Sequence, residues 1–236
     1  MTPLTLLATI LLGGIAALDA TPIAQTLLSQ PLVTATLLGW WWGDMRVALE
    51  IGVVLQIIAA STLPVGARTP EDYAVGGVVG TGLGLMLAAQ QSFDYGRDAC
   101  ALVGVVVGMI AAIAAVPALK WQRRVHEGLA RWCESELRQG RTGALTQAQV
   151  AAVVLAFAVG VACSALGLAL GWWGLAGVVG RQSLRLARAW GAAQSLWLGF
   201  GLAQLLNAFV QRRMTRAAVF GAALIGAWLV LMIGSS

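Results

Sequence analysis

Apolar residues run along this chain in blocks separated by short polar gaps. They do not alternate as in a half-buried strand. The blocks cover 4–18, 22–42, 46–62, 73–93, 99–119, 146–170, 172–180, 189–210 and 217–234. A helix that crosses a bilayer uses about 20 mostly apolar residues. The pattern therefore predicts an all-α polytopic membrane protein of roughly seven to eight helical passes. Segment 99–119 is the clearest span, because nothing from Ala99 to Leu119 is charged. Blocks 4–18 and 46–62 are short for a straight crossing. Unwound backbone at membrane depth is tolerated only inside protein or beside a watery cavity. Re-entrant or broken helices are thus expected near 46–72, where Pro64, Gly66 and Pro70 interrupt the chain.

Two blocks carry a further signal. Segment 73–93 holds Gly76, Gly77, Gly80, Gly82 and Gly84. Glycines at such spacing let helix backbones approach in lipid; contact between bare backbone and a substrate is the second reading. Lys120–Arg141 is the only extended hydrophilic segment, with Lys120, Arg123, Arg124, Arg131, Arg138 and Arg141 against Glu127, Glu134 and Glu136. Its Trp121, Val125, Leu129, Trp132 and Leu137 fall near helical spacing, which predicts an amphipathic helix. The excess of basic residues places segment 120–141 in the cytoplasm. It can anchor in the interface or dock a soluble partner. His126, the single histidine, reads as a hydrogen-bonded or solvated residue beside Glu127.

Arg181, Arg185 and Arg188 share one helix face, and Arg212, Arg213 and Arg216 precede the last block. A simple count of full spans cannot put all three basic clusters in the cytoplasm. A half-spanning segment around 171–190, broken at Gly171-Trp172-Trp173-Gly174, would remove the conflict.

Composition fixes the class. Of 236 residues, 59% are hydrophobic and 11% charged, against about 25% charged in a soluble domain. Lys and Arg number 15 against 10 Asp and Glu, and they fall in the gaps between blocks, which argues for a membrane and against nucleic acid. The first basic residue is Arg46, so block 4–18 is expected to be a retained helix and not a cleaved leader. Cys100, Cys133 and Cys163 form no CxxC pair and suggest neither a disulfide framework nor a zinc site. No phosphate-binding loop, nucleophile elbow or HExxH is present, so no cofactor or metal is implied and the chain is not expected to catalyse alone. One membrane domain over 1–236 is expected.

Polar residues among apolar runs are costly and mark substrate paths. The set here is Asp19, Gln25, Gln30, Asp44, Glu50, Gln56 and Asp72. Carboxylates with amides suit a neutral, hydroxyl-rich ligand, because together they accept from and donate to neighbouring hydroxyls. Asp19 and Asp44 can equally cap the helices that follow. Glu50 is one turn from Arg46 and is expected to pair with it. Gln56 reads as a ligand contact or as interhelical glue. Asp72 follows a broken helix, as in discontinuous-helix transporter sites.

These residues carry a family resemblance. Asp19, Gln25-Thr26-Leu27-Leu28-Ser29-Gln30-Pro31-Leu32-Val33, Leu38-Gly39, Gly43-Asp44, Gly52, Leu55-Gln56, Pro64-Val65-Gly66-Ala67 and Pro70-Glu71-Asp72 resemble the enzyme IIC subunits of the mannose–fructose–sorbose class of the bacterial phosphotransferase system. Val125-His126 is similar to the family's Val/Ile-His pair. The chain departs from the pattern at Gln30, where arginine is frequent, at Gln56, at Trp40-Trp41-Trp42 and at Arg68-Thr69. The resemblance implies a multi-pass sugar permease of the bacterial cytoplasmic (inner) membrane. It would work with a IID membrane subunit, with a IIB subunit that carries phosphohistidine and with IIA that recharges it. IIC–IID units would form a trimer. The implied substrate-binding residues are Asp19, Gln25, Gln56, Gly66 and Asp72, and this chain would orient the sugar without being phosphorylated. Two alternatives share the same buried polar groups: a gradient-driven transporter of a small solute, and a non-transporting membrane scaffold.

Overall fold

The computed structural model describes residues 3–20, 26–60, 71–91, 94–209, 214–215, 217–222 and 225. Among the described residues seven helices follow one another: α1 Pro3–Ala20, α2 Pro31–Trp42, α3 Met45–Ala59, α4 Tyr73–Ala88, α5 Asp94–Ala114, α6 Val116–Arg138 and α7 Gly143–Phe209. No strand occurs among the described residues. Among the described residues three stretches are long and apolar enough to cross a membrane, namely Pro3–Ala20, Gly96–Arg138 and Gly143–Gln194. The protein is an integral membrane protein. It divides into two compact units, Met1–Ala193 and Gln194–Ser236, and the cavity and the residues that frame it lie in the first.

The polar stretch near the N-terminus folds as a helical hairpin. Helix α2 ends at Gly43, whose φ of 76° is left-handed and whose N–H donates to the Gly39 carbonyl. Asp44 then caps α3 by accepting from the Val47 N–H at 3.3 Å. The two helices have 12 and 15 residues, and at 1.5 Å per residue they are about 18 and 22 Å long. Both fall short of a hydrocarbon core of about 30 Å. They close on small residues: a Cβ on Gly39 would stand 2.6 Å from the Ala48 Cβ, and one on Gly52 would overlap the Ala35 Cβ.

Helix α4 is the hub. Every residue from Ala74 to Ala88 is buried, and a helix apolar on all faces belongs in an interior. The glycine spacing works as tight packing. A Cβ on Gly80 would lie 2.5 Å from the Gly104 carbonyl oxygen, and one on Gly76 would lie 2.6 Å from that of Gly108. Helices α4 and α5 therefore touch backbone to backbone. Ile51 of α3 fills the notch at Gly104, and Gly77 brings α4 onto Pro31 at the start of α2. Helix α7 lies along the same core, with Gly160 against Ala17 of α1 and Gly167 against Val79 of α4.

One expectation is met and another is corrected. The apolar block at 99–119 lies inside the spanning stretch Gly96–Arg138, as expected; α5 and α6 are separated there only by Ala115, ahead of Pro117, which supplies no N–H to the ladder. The break expected at Gly171-Trp172-Trp173-Gly174 does not form, and blocks 146–170, 172–180 and 189–210 merge into α7. No proline occurs between Gly143 and Phe209. A lone glycine costs a helix only about 1 kcal/mol, and Gly171 makes room for the Leu83 side chain instead of a bend. Residues 61–70 and 210–213, with Gln25, Gly66 and Arg216 of the sequence reading, lie outside the described residues.

Candidate functional site

A cavity of about 520 Å³ opens where α2 and α4 begin and where α1 and α3 end. That volume lies in the range of small-molecule sites. Ser29, Gln30 and Pro31 at the start of α2, Glu71, Asp72 and Tyr73 at the start of α4, and Leu119, Gln122, Arg123 and His126 of α6 line it. Ala17, Ala20, Ala59, Ala74, Val159 and Gly160 supply the apolar wall. The N-terminal ends of α2 and α4 both border this space. Such ends carry positive partial charge and unpaired N–H groups, as in the half-helix sites of transporters.

Asp19 builds the edge of the site without lining it. One carboxylate oxygen accepts from the Thr26 N–H at 2.5 Å and from its hydroxyl at 2.7 Å; the other accepts from the Ser29 N–H at 2.8 Å. Between these anchors Leu27 sits at φ 71°, a left-handed conformation that costs a branched residue about 1–2 kcal/mol. Its carbonyl accepts from the Gln30 N–H at 3.0 Å. Asp19 thus holds a strained turn that presents Ser29 and Gln30 to the cavity.

Asp72 lines the cavity directly. It is 9% exposed, its side chain caps α4 by accepting from the Val75 N–H at 3.2 Å, and its own N–H donates to the Ala112 carbonyl at 3.0 Å. Its position is therefore fixed to both α4 and α5. Gln56 stands one residue layer behind the wall. Its Nε2 donates to Gln30 Oε1 at 2.7 Å and its Oε1 accepts from the Leu32 N–H at 3.3 Å. Of the sequence-predicted residues the structure brings Asp72 into the cavity, Asp19 and Gln56 behind it, and leaves Gln25 and Gly66 outside the described residues.

Over residues 4–234 the sequence matches the family described as the PTS system sorbose-specific IIC component. The chain belongs to that family. It is a membrane permease subunit of a sugar phosphotransferase system, and its substrate and partners are a sugar and components of that system. This selects the first of the three readings drawn from the sequence. No curated protein sequence matches the chain. Among solved structures, one titled "Structure of membrane protein" is 18% identical with a TM-score of 0.68, covering 100% of this chain and 97% of its own. A chain from the cryo-electron microscopy structure of the mannose transporter ManYZ in complex with a microcin is 18% identical with a TM-score of 0.60, covering 97% of this chain and 96% of its own. These likenesses concern the fold.

Helix α6 also lines the cavity, a placement that the sequence reading did not make. Leu119, Gln122, Arg123 and His126 fall at i, i+3, i+4 and i+7, which is one face of α6. That spacing was the available signal, hidden because the segment's charge and its tryptophans dominated the pattern. Gln122 is buried at 6% exposure. His126 Nε2 is 3.3 Å from the Ala152 carbonyl of α7, and since a carbonyl only accepts, Nε2 is the donor there.

The other polar residues of the IIC component lie at the opposite end of α3. Glu50 pairs with Arg46 at 3.1 Å, as expected, and accepts from the Trp190 indole N–H at 3.1 Å. Arg46 also pairs with Asp98 at 2.7 Å, and Arg97 with Asp44 at 3.3 Å. Asp44 and Glu50 therefore tie helix ends together away from the cavity.

Proposed function

We propose that the cavity between the starts of α2 and α4 and the α6 face holds the sugar at the cytoplasmic side of the permease. The observation that carries this is the meeting, in one space, of Glu71 and Asp72, the amide of Gln30, and Arg123 and His126. Carboxylates accept from sugar hydroxyls, and amide and guanidinium groups donate to them. Such a wall also discriminates, because a missing hydroxyl leaves a buried polar group without a partner. Helix α6 leads out of the cavity into the basic segment 120–141, so the site is continuous with the face predicted to be cytoplasmic.

On this reading a phospho-IIB subunit docks beside α6, and Arg123 draws the anionic phosphoryl group toward the sugar hydroxyl. A IID membrane subunit completes the translocation unit, IIC–IID units associate as a trimer, and the assembly resides in the bacterial cytoplasmic membrane. The support is the family and the position of the cavity. The substrate belongs to the hexose class represented by sorbose in the family description and by mannose in the similar structure. The test is direct binding of mannose, fructose and sorbose to the purified complex. Asp72→Asn and Glu71→Gln should each weaken the tightest of these by at least about tenfold, the scale of a lost charge-assisted hydrogen bond. Unchanged binding in both variants would remove the site from this cavity.

A further inference from the structure

A chain of hydrogen bonds behind the cavity fixes which end of the Gln30 amide faces the sugar. It begins at a backbone N–H. Leu32 is the second residue of α2, so its N–H has no acceptor within its own helix. The residue that would ordinarily satisfy such donors is the N-cap, yet Gln30 makes no side-chain cap bond. Gln56 of α3 does so instead: its Oε1 accepts from the Leu32 N–H at 3.3 Å. A backbone N–H can only donate, so the orientation of the Gln56 amide is determined and its Nε2 must point the other way. That Nε2 donates at 2.7 Å to Gln30. The Gln30 atom that receives it must be Oε1, and the end left over is the Nε2 amino group. Gln30 lines the cavity, and its Nε2 makes no hydrogen bond among the described residues.

We infer that Gln56 is a positioning residue and Gln30 a specificity-determining one. Gln56 locks the Gln30 amide so that it presents N–H donors, and no acceptor, to one hydroxyl oxygen of the bound sugar. The inference rests on the cavity being the sugar site. It assigns different polarities to parts of the lining: donors from Gln30, and acceptors from Glu71 and Asp72. A sugar would be read by which of its hydroxyls accepts at the Gln30 wall.

The arrangement makes a substitution at one residue act through another. In Gln56→Glu, one carboxylate oxygen still accepts from Leu32 and the other can only accept, so Gln30 must turn its amino group back and show its carbonyl oxygen to the sugar. Gln30→Glu reaches the same end without disturbing Gln56, whose Nε2 donates to one carboxylate oxygen while the other faces the cavity. Both variants convert a donor wall to an acceptor wall.

The test uses the full chain in its purified complex, with mono-deoxy and mono-amino derivatives of whichever of mannose, fructose and sorbose binds tightest. At one ring position the unaltered complex should bind the parent at least tenfold more tightly than either derivative, because neither a hydrogen nor an ammonium group accepts from Gln30. In Gln30→Glu and Gln56→Glu the amino derivative at that position should become the preferred ligand, with the other positions unaffected. A residue that merely supports the fold would weaken all ligands together and reverse nothing. Uniform weakening, or an unchanged profile in both variants, overturns the inference while leaving the site in place. Absence of binding by every hexose to the unaltered complex overturns the site and this inference with it. Should Gln56→Glu fail to fold, Gln30→Glu carries the test alone, since it keeps the bond from Gln56.

Discussion

The strongest single residue in the framework of the site is Asp19. Its two oxygens receive three hydrogen bonds from Thr26 and Ser29, and these clamp the turn in which Leu27 is left-handed. Removing the carboxylate frees donors that are partly buried and lets the strained turn relax. Asp19→Ala should therefore lower stability by about 2–4 kcal/mol, from lost charge-assisted bonds that each contribute roughly 1.5–3 kcal/mol less what solvent recovers. Thermal unfolding of the purified protein checks this. Sugar affinity should fall too, although the side chain does not line the cavity, because Ser29 and Gln30 would no longer be held. The sequence marked Asp19 as either ligand or cap, and the structure places it as a brace for a loop. Its partners lie seven and ten residues onward across an irregular turn, a spacing that no helical or strand periodicity encodes.

At the scale of elements, small residues decide which helices meet. Gly80 sits where a Cβ would press the Gly104 carbonyl at 2.5 Å, so Gly80→Ala must push α4 from α5. Overpacking of this kind costs about 1–3 kcal/mol, and the drop should appear in the unfolding temperature. Gly174 lies inside α7, and a Cβ added there would meet nothing within 4 Å. Gly174→Ala should raise helix stability by about 0.5–1 kcal/mol and leave sugar binding unchanged. Were the chain bent at Gly171–Gly174, the same change would be harmful. The apolar blocks were legible because burial in lipid or protein imposes a run length, and α1, α3 and α4 fall where those runs lie. The continuity of α7 was not legible. Trp190 is 2% exposed and hydrogen-bonds Glu50, a contact between residues 140 apart that holds the helix through a glycine pair read locally as a break.

For the whole molecule, the two ends of the α2–α3 hairpin divide the work. One end ties helices through Asp44, Arg46, Glu50, Arg97 and Asp98. The other gathers the cavity. Surface ion pairs contribute about 0–1 kcal/mol each, so Arg46→Gln should change sugar binding little, whereas changes at Asp72 should weaken it strongly. The family could be read from the polar stretch at Asp19–Asp72, because costly polar groups in an apolar chain are kept for function. The cavity face of α6 could not, since it shows only once the fold brings Leu119, Gln122, Arg123 and His126 to the same cavity as the starts of α2 and α4. The most direct measurement is accumulation of hexose phosphate inside vesicles that hold the IIC chain with the proposed IID subunit and enclose the phosphoenolpyruvate-driven phosphocarriers. The unaltered chain should trap a hexose as its phosphate without any ion gradient, and Asp72→Asn should reduce the rate at least about tenfold. Trapping by Asp72→Asn at the unaltered rate would mean that the sugar does not bind in this cavity.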